Sequence, residues 1–158
     1  MAMTMNGAFQ LAVAPETVWA KLNDAETLKL CIPGCEQLDK LSETEMQAVA
    51  TVKIGPVKAK FKGKVTLSDI DPPHGYKISG QGDGGVAGFA KGGAVVKLTP
   101  SDGGTLLSYD VEAQIGGKLA QLGQRLINGA AKKVADDFFE NFAKAVNPPV
   151  NPPVSPPA

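Results

Sequence analysis

Between residues 45 and 115 the chain alternates apolar and polar positions for most of its length, the period of strands with one buried face. Met46, Ala48, Ala50, Val52 and Ile54 alternate with Glu45, Gln47, Thr51 and Lys53. Beyond Gly55-Pro56, the residues Val57, Ala59, Phe61, Gly63, Val65 and Leu67 alternate with Lys58, Lys60, Lys62 and Lys64. This predicts a hairpin with one wet face. Asp71-Pro72-Pro73-His74-Gly75 reads as a turn, and Tyr76, Ile78 and Gly80 open the next strand. Gly82 to Gly93 is too glycine-rich to fix a register, after which Ala94, Val96 and Leu98 restore the alternation. Asp102-Gly103-Gly104 turns into a last strand, with Leu107, Tyr109, Val111, Ala113 and Ile115 on one face.

Gly116 to Ala145 changes to the helical period. Leu119, Leu122, Leu126, Ala130, Val134, Phe138 and Phe142 recur at steps of three and four, widened by Ile127, Ala131 and Phe139. Lys132/Asp136, Lys133/Asp137 and Glu140/Lys144 are i,i+4 pairs on the other face, which marks it as solvated. The pattern predicts one helix able to span the domain. Upstream, Met3 to Val13 has strand character, Pro15 suits the first turn of a short helix, and Asn23-Asp24 caps a second helix from Ala25 to about Cys31. Ile32-Pro33-Gly34-Cys35 forms the turn after it. The order is strand, two short helices, about six strands, long helix. It predicts an α+β helix-grip fold: a curved antiparallel sheet wrapped around a long C-terminal helix.

The inward-facing set is notable for its small members, Ala48, Ala50, Ala59, Gly63, Gly80, Ala94 and Ala113. Small side chains between sheet and helix give either close packing or an apolar void. The inward set carries no charge, so a buried ligand would be neutral and lipophilic. Strand and helix parity nominates Phe61, Val65, Tyr76, Ile78, Tyr109, Val111, Leu119, Leu122 and Leu126 as walls of the void, with Phe89 and adjacent glycines near an entrance. Tyr76 and Tyr109 each offer a hydroxyl to a carbonyl oxygen; each is equally readable as a core tyrosine hydrogen-bonded elsewhere. The long helix up to Ala131 would line the void, and Phe138, Phe139 and Phe142 would pack its closed end.

Charge and composition narrow the chemistry. Across 158 residues the 16 lysines and arginines equal the 16 aspartates and glutamates, so no bulk charge argues for nucleic acid. No apolar run approaches a bilayer span, and MAMTMNGAF lacks the features of a signal peptide, which predicts a soluble protein that stays where it is made. Cys31 and Cys35 read as free thiols in a reducing compartment, and with one histidine a zinc site lacks ligands. Gly80-Gln81-Gly82-Asp83-Gly84-Gly85 satisfies a dinucleotide fingerprint, but no helix follows it and no βαβ unit surrounds it. A glycine-rich turn or bulge at a sheet edge, beside a cavity mouth, accounts for it better. His74 sits in a turn with no nucleophile near it, Asp69/Asp71 lie at a strand end, and Asp136/Asp137 have lysine partners. No catalytic residue is nominated. Lys53, Lys58, Lys60, Lys62 and Lys64 gather on one face, either to meet an anionic membrane or acidic partner, or balanced across strands by Glu45, Asp110 or Glu112.

After Val146 the tract NPPVNPPVSPPA cannot pack a core. The chain therefore divides into a ligand-binding domain over 1–146 and a proline-rich linker or disordered tail over 147–158, readable also as a segment that docks to an aromatic groove.

Several stretches resemble the CoxG family of carbon monoxide dehydrogenase subunits, within the START/polyketide-cyclase-like (SRPBCC) superfamily. They are Gly7-Ala8-Phe9 with Pro15-Glu16-Thr17-Val18-Trp19, Ile32-Pro33-Gly34-Cys35, Val52-Lys53-Ile54-Gly55-Pro56-Val57, Phe61-Lys62-Gly63 and Asp71-Pro72-Pro73. Gly85-Val86-Ala87-Gly88-Phe89-Ala90 and Gly116-Gly117-Lys118-Leu119-Ala120-Gln121-Leu122-Gly123 complete the set, which spans roughly residues 4 to 145. The resemblance implies a bacterial helix-grip protein with a hydrophobic cavity, not itself a catalyst. It implies partnership with a carbon monoxide dehydrogenase or related molybdenum hydroxylase, and attachment of that enzyme to the cytoplasmic face of the inner membrane. It further implies a lipophilic quinone ligand, menaquinone or ubiquinone, and no covalent cofactor. Family members commonly carry a C-terminal extension with an apolar anchor, whereas this chain stops in the proline tract. The alternatives of other classes are a ligand-free protein adaptor and a cyclase- or hydrolase-like enzyme on the same fold.

Overall fold

The structure, a computed structural model, describes residues 1–146; the proline tract at 147–158 lies outside the described residues. Strand β1 (Ala2–Leu11) leads into helices α1 (Pro15–Leu22) and α2 (Ala25–Cys31). Six strands follow: β2 (Cys35–Lys40), β3 (Glu45–Ile54), β4 (Val57–Asp71), β5 (Gly75–Asp83), β6 (Phe89–Ser101) and β7 (Gly104–Gly116). Two helices close the fold, α3 (Lys118–Gln121) and α4 (Gln124–Val146). The strands form one antiparallel sheet in the order β1-β7-β6-β5-β4-β3-β2. From β2 to β7 each neighbour is reached by a hairpin, whereas the two short helices carry the chain from β1 at one edge to β2 at the other, and β1 pairs with the last strand, β7.

The alternation read from the sequence sets the faces. Met46 pairs with Val65, Ala50 with Phe61 and Ile54 with Val57, so β3 and β4 turn one apolar face toward α4. Glu45, Lys60, Lys62 and Lys64 point outward, and Lys64 reaches Glu45 at 3.3 Å while Lys60 reaches Glu36 at 3.1 Å. Lys53, Lys58 and Lys62 make no ion pair among the described residues. The lysine face is therefore balanced in part, and by Glu36 as well as Glu45.

Two expectations are corrected. The helix read from Gly116 to Ala145 is two helices, because β7 runs through Gly116 and Gly123 breaks the path with φ +91°. That left-handed value is accessible to glycine at little cost and strains an L side chain. The glycine-rich turn after β5 joins the two central strands β5 and β6, so it lies in the middle of the sheet order and not at an edge. It contains one three-residue 3-10 turn, Gly85–Ala87.

The exposed face of α4 carries the predicted pairs, with Lys132 and Lys133 each 2.8 Å from Asp136 and Asp137 and Lys144 3.7 Å from Glu140. Exposed pairs of this kind add only a few tenths of a kcal/mol each, roughly, so α4 is held mainly by burial. Phe142 and Val146 are buried in the main core with Leu11, Val18, Leu22 and Leu28. The Asn141 amide donates to the Cys31 carbonyl at 3.1 Å and ties α4 to the end of α2.

Candidate functional site

The site is built from two ladder rungs that cross the concave face of the sheet. In one, Ala48 stands opposite Gly63, Gly63 opposite Gly82, and Gly82 opposite Ala90. In the next, Val65 stands opposite Gly80, Gly80 opposite Gly92, Gly92 opposite Ala113, and Ala113 opposite Met3. Side chains on consecutive rungs of a face are neighbours, so these positions make a continuous band with almost no side-chain volume. The buried hydrophobic residues divide on either side of the band. One cluster lies at the α1–α2 end, with Leu67, Tyr76, Val96, Leu107 and Phe142. The other lies at the α3 end, with Met3, Ile115, Leu119 and Ile127. Between them Ala48, Gly63, Gly80, Gly82, Ala90 and Ala94 are half-buried. The band is a stretch of low side-chain volume between two packed ends.

The residues nominated as walls divide between the two clusters that flank this band. Tyr76 is buried, and Val65, Ile78 and Tyr109 pack half-buried against the cluster at the α1–α2 end. Leu119 is buried in the α3-end cluster, with Phe61, Val111 and Leu122 half-buried against it. Leu126 stands at the rim, 41% exposed, with its side chain covering Gly55 at the tip of the β3–β4 hairpin. Phe89 does not face the trough; its ring lies over Gly116 on the outer side of the sheet and is 45% exposed.

Stacked rings close the α1–α2 end. Phe139 stacks on Phe9 at 5.7 Å and on Tyr109 at 5.1 Å, and Phe138 continues the stack to Phe142 at 5.6 Å. Trp19 meets Tyr76 edge-on at 5.2 Å. Tyr76 and Tyr109 are the ionisable side chains on the inward strand positions. Burial pushes the Tyr76 phenol up to about 12, so it remains a neutral donor at any physiological pH. Its hydroxyl has no hydrogen-bond partner among the described residues. Cys31 is buried and Cys35 half-buried, both are free, and burial raises both thiols. Among the described residues no cluster of histidine, cysteine or carboxylate side chains could hold a metal ion.

The outer face carries a second feature that strand parity did not reveal. The small residues of the trough also thin the sheet from outside, leaving an open depression of about 590 Å³ over Ala48, Gly63, Gly82 and Ala90. Gln37, Gln47, Lys62, Lys64, Gln81, Asp83 and Lys91 surround it. The row of outward glutamines was the available signal. Nearby, Glu36 accepts from the Thr51 hydroxyl and pairs with Lys60, which together hold its carboxyl below the usual range.

A seven-stranded antiparallel sheet gripping a C-terminal helix defines a START-like helix-grip protein. Within that class the chain belongs to the CoxG family of carbon monoxide dehydrogenase subunits, whose profile matches residues 7–147. Among solved structures it is similar to a conserved protein from Geobacillus kaustophilus, at 37% identity and a TM-score of 0.86, covering 91% of this chain and 95% of that one. It also resembles the Zhui aromatase/cyclase from Streptomyces sp. R1128, at 9% identity and a TM-score of 0.69 over 92% and 94% of the two chains. Ara h 8.0201 matches at 15% identity and a TM-score of 0.64 over 92% and 98%. At the last two identities the likeness concerns the fold alone. No curated protein matches the chain.

Proposed function

We propose that this protein is a non-catalytic carrier that holds a neutral, lipophilic ligand in the trough between sheet and α4. The observation that carries the reading is the pair of small-residue rungs, uncharged and nearly without side-chain volume, between two packed clusters. A charged ligand buried there would meet no counter-charge and would lose its hydration, whereas a ring and prenyl chain would exchange water for apolar contact. Membership of the CoxG family, named for its place among carbon monoxide dehydrogenase subunits, supports a quinone of the menaquinone or ubiquinone class as the ligand. It also supports a molybdenum-containing carbon monoxide dehydrogenase as the partner, served at the cytoplasmic face of the membrane. The neutral Tyr76 hydroxyl, without a protein partner, is a donor suited to a quinone carbonyl.

Native mass spectrometry of protein purified without added lipid tests the reading. A co-purifying lipophile, or saturable uptake of a menaquinone or ubiquinone analogue, is expected. Absence of both sinks it. The adaptor alternative draws on the cationic outer depression, and predicts that a dehydrogenase is still captured after the trough is filled.

A further inference from the structure

We infer that β1 is a self-pairing edge, through which two copies of this chain join antiparallel about a two-fold axis at Asn6 and merge their sheets into one. The inference is independent of the carrier reading and starts from the hydrogen-bond parity of the strand. Met1 exchanges two bonds with Ile115, its amine donating at 2.9 Å and its carbonyl accepting at 2.7 Å. In an antiparallel ladder such pairs recur at every second residue, so Met3, Met5, Gly7 and Phe9 turn their backbone groups toward β7. Ala2, Thr4, Asn6, Ala8 and Gln10 turn theirs away from it. Among the described residues nothing bonds the backbone N–H or C=O of Thr4, Asn6 or Ala8. The strand ends are closed: the Gln124 amide donates to the Ala2 carbonyl at 3.2 Å, and the Gln10 amide donates to the Ser101 carbonyl at 2.8 Å. The open stretch is therefore Thr4 to Ala8.

The two edges of the sheet are built differently. A free edge invites pairing with another chain, and folds ordinarily blunt it with charge, proline, a bulge or a covering element. The β2 edge uses most of these devices. It is six residues long, carries Glu36, Asp39 and Lys40, shifts register between Cys35 and Gln37, and packs beside α2. The β1 edge uses none of them along its open stretch. It is ten residues long, AMTMNGAFQL, without a charge or a proline, and Thr4, Asn6 and Ala8 are exposed.

A second copy of the chain is the occupant this edge fits. Pairing β1 with β2 of the next copy would be head-to-tail and build a filament, and the β2 edge is closed to it; pairing β1 with β1 is isologous and stops at two. The proline tract at 147–158 does not suit the edge, because its prolines have no N–H to give. An axis at Asn6 uses the whole open stretch. Asn6 then meets Asn6, and Thr4 meets Ala8 of the second copy at both ends, with about six backbone hydrogen bonds in all. No charges are opposed in this register. The acidic residues on the same face, Asp110 and Glu112, lie on β7 opposite Asn6 and Thr4. Across four strands the two Asp110 side chains would stand roughly 14 Å apart, beyond the screening length of about 8 Å.

Sedimentation velocity of the full chain over a range of concentrations tests this, and a reversible monomer–dimer equilibrium is expected. The Asn6 N–H points away from β7, so Asn6→Pro breaks no bond within the chain and should leave the melting temperature nearly unchanged. It should weaken the dimer by about a hundredfold, since the two-fold axis removes two bonds at once. Cysteine variants in a Cys35→Ser background read the register and decide the matter should Asn6→Pro fail to fold. Asn6→Cys should form an intermolecular disulfide readily, because the paired Cα atoms at the axis are about 5.5 Å apart. Ala8→Cys should not link to itself, its two copies standing roughly 14 Å apart, but should link when mixed with Thr4→Cys. Lys62→Gln with Lys91→Gln, over the outer depression, should leave the dimer unchanged. A monomer at every concentration overturns the inference. So does a dimer that survives in folded Asn6→Pro, that is lost with the two lysines, or that links through Ala8→Cys alone as readily as through Asn6→Cys.

Discussion

The ring of Tyr109 lies across Gly7 on the neighbouring strand, so that a Cβ at Gly7 would stand 2.6 Å from the tyrosine oxygen and 2.8 Å from Cζ. Phe139 stacks on the same ring at 5.1 Å and restricts its movement. Gly7→Ala is therefore expected to destabilise the fold by about 1–3 kcal/mol, the usual cost of overpacking. Chemical denaturation of the four members of a Gly7→Ala, Tyr109→Ala cycle checks it. The glycine substitution should cost much less once the ring is removed. An equal cost in both backgrounds would show that the ring is not the obstacle.

Tyr76 predicts a trade between stability and binding. A buried hydroxyl without a protein partner carries a desolvation cost, so Tyr76→Phe should be neutral or stabilising by about 1 kcal/mol at neutral pH. Its folded pKa is raised from 10.0 to about 12. The corresponding stability is fully present below pH 10 and is lost as pH rises toward 12, since the unfolded chain ionises first. Tyr76→Phe should resist alkaline unfolding better than the unchanged protein. The same variant should bind a quinone analogue more weakly if the hydroxyl donates to the ligand. Unchanged alkaline unfolding would remove Tyr76 as the titrating group.

Two glycines on either side of the α4 N-terminus should respond to alanine in opposite directions. Gly123 has φ +91° and nothing within 4 Å of an added Cβ, so Gly123→Ala pays only in backbone strain, about 1–2 kcal/mol. Gly129 lies inside α4, also with free space, and Gly129→Ala should stabilise by about 0.5–1 kcal/mol through helix propensity. Thermal melts of both variants decide it. The same sign for both would contradict the break between α3 and α4.

These positions also mark how far the sequence could be read. Inward and outward faces followed from alternation, because a sheet with one wet face leaves a period of two that is independent of tertiary detail. The small inward residues were visible for the same reason. Their alignment into two adjoining rungs was not, since it depends on the register across the glycine-rich β5–β6 turn. The helix break escaped notice because Leu119, Leu122 and Leu126 keep a helical spacing straight through Gly123. Phe89 was nominated from its neighbours, but its parity places it on the outer face opposite Gly116. Tyr76 and Tyr109 share one parity and part ways only in packing, one under Trp19 and the other between Gly7 and Phe139.

The two thiols should be distinguishable. Cys31 is 1% exposed and Cys35 is half-buried, and burial raises both above the ordinary thiol range. A thiol-reactive probe at neutral pH should modify Cys35 slowly and Cys31 only on unfolding. Peptide mapping after timed labelling reads the two sites. Rapid labelling of Cys31 in the native protein would mean that α4 separates from α2, where Asn141 bonds the Cys31 carbonyl.

Ala113 gives the most direct access to the trough. Its side chain stands on the concave face between Gly92 and Met3, in a rung where the neighbours leave space. A phenylalanine there would occupy that space with a ring. If the trough is open, Ala113→Phe should fold with little change in melting temperature and lose affinity for a quinone analogue by about tenfold or more, at least 1.4 kcal/mol of displaced contact. If the rungs are closed by packing, the same ring has nowhere to go, and the variant should lose about 1–3 kcal/mol of stability. Melting temperature and ligand uptake measured on one preparation separate these cases. A variant that keeps both its stability and its full ligand affinity would place the ligand somewhere other than the trough.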